Sequence, residues 1–421
     1  MFSFHDSAQQ VVISNEQAAR IVHHHFAEHR NSNIQFDIVP GVYRHANSMV
    51  YLIDVLPATQ QRIVCFLILS VPGDKSTDGG EDEGEYRCNS LSTVLSLSQL
   101  IQDGTDLPIP KYILDTSLSI VPYHYLLSPP LAIPQDRVLI SLSEARRESL
   151  LSAVEDARID LRVGQYLGQL HTNVVNEWFG VPEPLTQSTV LNGMKLPSFL
   201  TMGSVPPGGD AAYSWQETFV AMFETVLGRV ETLLKGDSAE PIVAQDGTAA
   251  HPRRVLPSQD IHRYLSRAIG FFLFDDVDVP SLVTHTGSAD DIFITLATPS
   301  QLRYKDPEAL PPTTPPLPDP QISCILPNLA HALWGDPLIE AMFTPPGPST
   351  TVLEGYNGAG GGTLIVFARQ KTKRLWYSLF SALLILAEQG VRPLDGAEST
   401  VDWAWETVEK CAEALKHAPC Y

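Results

Sequence analysis

Near residue 141 the apolar residues of this chain change their spacing from two to three or four, so a sheet-forming part must be joined to a helix-forming part. Upstream, "NIQFDIV", "SMVYLIDVL" and "QRIVCFLILSV" are β-branched and aromatic runs separated by Pro-Gly and polar breaks, which predicts an antiparallel sheet. Downstream, "SLSEARRESLLSAVEDARIDLRVGQYLGQLH" opens with a Ser141 to Glu144 capping-box spacing and carries Leu150, Leu151, Val154, Ala157 and Leu161 at helical intervals. This predicts one long amphipathic helix or a pair. "SWQETFVAMFETVLGRVETLL" repeats the pattern with Trp215, Phe219, Met222, Phe223, Val226, Val230 and Leu233, and "QDIHRYLSRAIGFFLF" does so again. The expected class is α+β, with residues 1–127 a β-rich lobe carrying one helix and residues 128–421 a helical lobe.

With 44% hydrophobic and 18% charged residues, the 421-residue chain has enough apolar surface to fold. Its net charge of −20 repels a phosphate backbone and an anionic membrane surface, so neither nucleic acid nor membrane is an expected partner. "LFSALLILA" (379 to 387) is too short to span a bilayer, and the first residues, with Asp6 and Glu16, are unlike a secretory signal. A cytoplasmic location is expected. Five scattered cysteines with no C-x-x-C pair suggest neither a disulfide frame nor a thiolate metal knot.

The acidic stretch "GDKSTDGGEDEGEY" (73 to 86) reads as a solvated loop. "DIFITLA" and "QISCILP" flank "KDPEALPPTTPPLPDP" (305 to 320), which predicts a hairpin with an inflated tip, or a lid over a neighbouring cleft. The run "HHH" (23 to 25) is expected to diverge around its helix instead of converging on an ion, and "GYNGAGGG" (355 to 362) reads as a loop. The last helix is expected to bury Trp403, Trp405 and Val408.

Five separated motifs occur in an order similar to that of the fungal aminoglycoside phosphotransferase-like family. "PGVYRHANSMVYLI" resembles its phosphate-covering hairpin, with Gly41, Asn47 and Tyr51 in register, and "DLPIPKYI" (106 to 113) the segment after helix C. "VPYHYLL" (121 to 127) resembles its hinge strand, "VGQYLGQLHTNVVNEWFG" (163 to 180) its Leu-His helix, and "HALWGDPLIE" (331 to 340) the segment after its metal-binding aspartate. The resemblance implies a bilobal protein-kinase-like fold over roughly residues 15 to 390.

Such chemistry needs a basic residue on strand three paired with a helix-C glutamate, an aspartate base, an asparagine on magnesium and a second metal-binding aspartate. In this chain Ser70 or an apolar neighbour stands at the basic position, and no acidic residue lies between Glu85 and Asp103. Gly287 falls on the base, and Pro327 and Asn328 replace the usual Asp-Trp pair. A pseudokinase is therefore expected, with no cofactor and no metal.

The cleft between the lobes, stripped of phosphate-binding charge, suits a small organic metabolite. His285, Asp290 and Asp291 are the acid–base candidates, with Asn328 and Tyr123 as substrate-binding candidates. Asp336 and Glu340 are expected to fix the loop that enters the next helix. The expected activity is an ATP-independent cyclisation, isomerisation or addition in specialised metabolism. The alternatives are a non-catalytic protein that binds a metabolite or protein partner, and a phosphotransferase with an atypical metal site.

Overall fold

A computed structural model describes residues 13–29, 33–38, 48–56, 62–70, 88–182, 190–191, 194–195, 209–237, 254–297, 319–391 and 398–420. Helix α1 (Asn15–His25) starts where Ser14 and Gln17 cap each other's backbone N–H groups. Strands β1 (Asn33–Ile38), β2 (Ser48–Leu56) and β3 (Arg62–Ser70) form antiparallel neighbours. After helix α2 (Leu91–Gly104) come β4 (Ile113–Asp115), β5 (His124–Leu127) and β6 (Leu131–Ile133), completing a sheet in the order β1-β2-β3-β5-β4, with β6 also on β3. The sheet thus extends past residue 127. In the gap between β5 and β6, the Ser128 hydroxyl accepts from Phe66 N at 2.7 Å and Ser128 N donates to Phe66 O at 2.8 Å.

Alternation along β3 sorts its side chains onto two faces. Cys65, Leu67 and Leu69 join Ile21 and Val22 of α1 in one core. On the other face, Val64 and Phe66 pack with residues that follow in the chain, including Phe293 and Cys324. Helix α2, capped by Ser90, buries Val94, Leu97 and Ile101 in a core shared with later helices.

The second part opens with β7 (Arg137–Ser141) and, of the two predicted alternatives, a pair of helices, α3 (Leu142–Arg147) and α4 (Ala153–Asn173). Ser141 caps α3 by accepting from Glu144 N at 3.2 Å. The predicted face of the second helix is out of phase. Ser152 and Glu155 form a new capping box, so Leu150 and Leu151 precede α4, while Val154 and Leu161 are exposed at 63% and 36%. Ile159, Val163, Tyr166, Leu167 and Leu170 form the buried stripe.

A short ladder joins β8 (Val190–Leu191) to β9 (Met194–Lys195). Helix α5 (Trp215–Asp237) buries Trp215, Phe219, Met222, Phe223, Val226 and Val230 as predicted, but Leu233, assigned to the same face, is 37% exposed near the helix end; α6 (Ser258–Gly270) buries Ile261, Tyr264, Leu265 and Ala268. Strand β10 (Ser281–Val283) leads into the loop before β11 (Ile292–Ala297), which pairs antiparallel with β12 (Gln321–Ile325), while β7 lies on its other side. The predicted hairpin is present; its tip lies outside the described residues, as does the acidic segment 73–86.

Strand β13 (Leu333–Gly335) pairs with β10, and three helices follow: α7 (Thr350–Gly358), α8 (Ala368–Gln389) and α9 (Glu398–His417). Gly355 and Gly358 therefore end a helix where a loop was expected. In α9, Trp405 and Val408 are buried but Trp403 is 44% exposed, because residues two apart on a helix point about 200° away from each other. The described elements are an α+β arrangement in which an antiparallel sheet is followed by a mostly helical part. No described helix is long and apolar enough to cross a membrane.

Helices α4 and α7 meet backbone to backbone. A Cβ added at Gly164 would lie 2.0 Å from Val352 O, and one at Gly355 would lie 2.1 Å from Leu161 O. Only hydrogen fits at either crossing point. Gly164→Ala is expected to destabilise the fold by about 1–3 kcal/mol or more, as overpacking does. Gly228→Ala, in a helix with nothing near its Cβ, should be neutral or stabilising. Thermal melts of both variants test this: equal melting temperatures would refute the close crossing.

Candidate functional site

The loop "THTGSADD" (284 to 291) between β10 and β11 is held from both ends. Glu340, only 2% exposed, accepts from Thr284 N and from Thr284 Oγ1, each at 2.7 Å. Gly287 N donates to Thr284 O at 3.0 Å, closing a tight turn. Ser288 then caps a short 3₁₀ turn, Ala289–Asp291: its hydroxyl accepts from Asp290 N at 3.1 Å, and Asp291 Oδ2 accepts from Ser288 N at 2.7 Å. From the neighbouring segment, Leu326 N donates to Asp291 O at 2.8 Å, and Asn328 Nδ2 reaches Thr286 O at 3.5 Å. Four of the five predicted residues, His285, Asp290, Asp291 and Asn328, thus belong to one loop and the segment bonded to it.

Their electrostatics differ. Burial pushes the Asp291 carboxyl up to about 7, reinforced by the charges of Asp290 and Glu340, while its hydrogen bonds with Ser288 pull the other way. His285 is 1% exposed, and burial together with His331 lowers its pKa to about 3. It is a neutral ring packed 5.5 Å from Phe380 and 6.0 Å from His331. In this conformation it presents almost no surface to a substrate. Asp290 and Asp291 are both partly exposed.

Tyr123 is not brought to this loop. Alternation along the hinge strand puts it on the same face as Tyr125 and Leu127, packed against the core under α1. The sequence reading missed Tyr112, at the end of "DLPIPKY". Burial pushes its phenol well above the ordinary value, and the charges of Cys324 and Asp291 raise it further, which places Tyr112 within electrostatic reach of Asp291.

The phosphotransfer positions can be followed as well. Arg62 on β3 is engaged by Asp54 at 2.7 and 2.8 Å, and Ser70 ends the strand opposite His124. The first turn of α2 contains no acidic residue. Asp336 accepts from Leu338 N at 2.9 Å and from the Tyr377 hydroxyl at 2.7 Å, with Lys373 Nζ at 2.5 Å. Both Asp336 and Glu340 hold turns, as expected. A cleft of about 480 Å³, lined in part by His171, Asp276, Asp336 and Lys373, opens in the second part of the chain; none of the five predicted residues lines it.

Among the described residues, two groups bring metal-ligating atoms together: Cys88, His331 and Glu388, and His24, His25 and Asp115. The second corrects the expectation of divergent histidines. At the end of α1 the His24 and His25 rings stand edge to face at 4.9 Å, and His25 shares Tyr125 Oη, at 2.9 Å, with Asp115.

No family model matches the chain, and no curated protein gives a significant match. Among solved structures, a protein assigned as an aminoglycoside phosphotransferase from Ralstonia eutropha JMP134 is similar at 13% identity and a TM-score of 0.47, covering 96% of this chain and 99% of its own. One assigned as a fructosamine-3-kinase from Thermobifida fusca is similar at 12% identity and a TM-score of 0.45, covering 94% of this chain and 100% of its own.

Asp291 makes the fold sensitive to alkali. The folded carboxyl keeps its proton up to about pH 7, whereas an unfolded one loses it near 3.8. Its contribution is therefore complete below pH 3.8 and is lost as pH rises through 7, a change on the order of 4 kcal/mol. Asp291→Asn is expected to flatten the decline in melting temperature between pH 5 and pH 8 and to be the more stable form at pH 8. Parallel pH profiles for the two proteins would show that the carboxyl is not held protonated.

Proposed function

We propose that this chain is a kinase-fold protein of the aminoglycoside phosphotransferase-like type whose phosphotransfer is disabled. Its loop 284–291 acts on a small organic metabolite by proton transfer, without ATP. One observation carries the reading: a carboxyl with a pKa of about 7, Asp291, adjoins the partly exposed Asp290. A general acid–base is most effective when its pKa lies near the working pH. Asp291 can give and take a proton at neutral pH, while Asp290 supplies the negative charge that favours return of the proton. Asn328 and Tyr112 are the polar groups at hand to orient a substrate; His285 stays neutral and supports the loop.

The engagement of Arg62 by Asp54 and the lack of an acidic group in the first turn of α2 favour this reading over a kinase, since no ion pair is available there to hold phosphate oxygens. The reaction class that fits is a proton-assisted cyclisation, isomerisation or addition, in the specialised metabolism and cytoplasmic setting that the sequence suggests. A second reading, a metabolite-binding regulator without catalysis, is favoured by one observation: the Asp291 carboxylate already caps its own turn.

Mg·ATP is expected to leave the melting temperature unchanged, because only ligands that bind the folded state raise it. Organic metabolites screened the same way should give stabilising compounds that are converted at substoichiometric protein. In that assay Asp291→Asn should lower kcat about 100-fold or more, the scale of a lost general acid–base, with KM little changed. Stabilisation without any product would favour the regulator. Transfer of the ATP γ-phosphate to an acceptor would overturn both readings.

A further inference from the structure

Cys88, His331 and Glu388 lie far apart in the chain and converge at one point. His331 Nε2 is 2.8 Å from Glu388 Oε1, Cys88 Sγ is 3.7 Å from the same nitrogen, and Cys88 Sγ is 3.5 Å from Glu388 Oε1. Around a tetrahedral zinc ion, with Zn–S of about 2.3 Å and Zn–N and Zn–O of about 2.0 Å, the S···N and S···O edges are about 3.5 Å and the N···O edge about 3.3 Å. The triangle approaches one face of that tetrahedron once the imidazole and carboxylate move apart by about half an ångström and the His331 ring turns to aim Nε2 at the thiolate, which lies almost as close to Nδ1, at 4.0 Å. From this geometry we infer that Cys88, His331 and Glu388 form a binding site for a zinc-like divalent cation.

The backbone holds two of the three ligands in place. Asn89, next to Cys88, donates its side-chain amide to Leu329 O at 2.8 Å and Ala332 O at 2.9 Å, and its own N to Ala330 O at 2.7 Å. One residue thus clamps the turn that carries His331 to the start of α2. The third ligand projects from the last turn of α8. Supporting groups of this kind hold a coordination site close to its bound geometry and contribute to its affinity.

The donor set selects the ion. A thiolate with an imidazole suits a borderline or soft cation, whereas magnesium and calcium take oxygen ligands. Three protein ligands leave a fourth position, and the partial exposure of Cys88 and Glu388 lets water or a substrate oxygen fill it. A nucleophilic Cys–His–Glu relay would instead place thiol and carboxylate on opposite ring nitrogens. In this protein both lie nearest the same nitrogen, Nε2, with Cys88 Sγ farther from Nδ1 at 4.0 Å. When the metal–sulfur bond forms, the Cys88 thiol proton passes to solvent, so affinity should fall as pH falls. The site stands apart from the proton-transfer reading of Asp291, and either can fail alone.

The test uses full-length, metal-stripped protein titrated with zinc(II) and, as a spectroscopic reporter, cobalt(II). The expected result is a cobalt spectrum with a thiolate-to-metal charge-transfer band, displaced by zinc. Cys88→Ser should abolish the band, and Glu388→Gln should weaken zinc binding by about 100-fold or more, above the usual effect of losing a supporting group. Both variants change partly exposed side chains, and circular dichroism checks that they fold. A double variant, His24→Gln with His25→Gln, should leave the band intact and so separate this site from the second histidine group. A cobalt spectrum with no thiolate band, or one unaffected by Cys88→Ser, would refute the site. So would zinc-independent alkylation of Cys88 that is fast and lost in Glu388→Gln, which would identify the relay instead.

Discussion

Everything in the loop 284–291 depends on a buried carboxylate. Glu340 takes both the backbone and side-chain donors of Thr284, and His171 Nε2 lies 3.5 Å from Oε2, the oxygen that accepts from Thr284 N. A buried acceptor left without donors costs far more than a typical hydrogen bond contributes, so this pair fixes where β10 ends and the turn at Gly287 begins. His171 in turn hydrogen-bonds the Tyr356 hydroxyl at 3.0 Å, and Tyr356 sits on α7, whose glycine crosses α4 with no room for a side chain. The position of the acidic turn is therefore set by a chain of contacts from the α4–α7 crossing to Glu340.

A second polar hub lies deeper. Tyr377 accepts from Trp215 Nε1 at 2.8 Å and donates to Asp336, and Lys373 bridges Asp336 and Asp276. A lone buried cation or carboxylate here would be costly; as a connected set the groups satisfy one another and orient α5, α8 and the turn after β13 together. The segment expected to fix the loop into the next helix is thus structural scaffolding, with Asp336 held by a lysine and a tyrosine.

What could be read in the sequence was local. The buried face of α5 follows directly from apolar spacing, and the β11–β12 hairpin from two β-branched runs around a proline-rich break. The buried face of α4 differs from the one that apolar spacing predicts, because Leu150 and Leu151 lie ahead of the Ser152 cap that restarts the helix. Trp403 was assigned to the buried face by hydrophobicity against its own angular position. The loop residues His285, Asp290 and Asp291 are close in sequence, so their proximity was legible, but the burial that neutralises His285 comes from His331 and Phe380, which only tertiary packing supplies. Cys88 lies 243 residues from His331 and 300 from Glu388, a separation no motif spacing reveals.

One edge of the molecule limits how the rest can move. Strand β6 is hydrogen-bonded into the first sheet and β7, four residues on, into the second, and between them Phe66 meets Phe293 with ring centroids 5.0 Å apart. Val64, Ile133, Leu139, Cys324 and Leu326 complete that plug. Swinging the sheets apart at this seam would wet all of these side chains at once, so β6 and β7 keep the two sheets coupled along it.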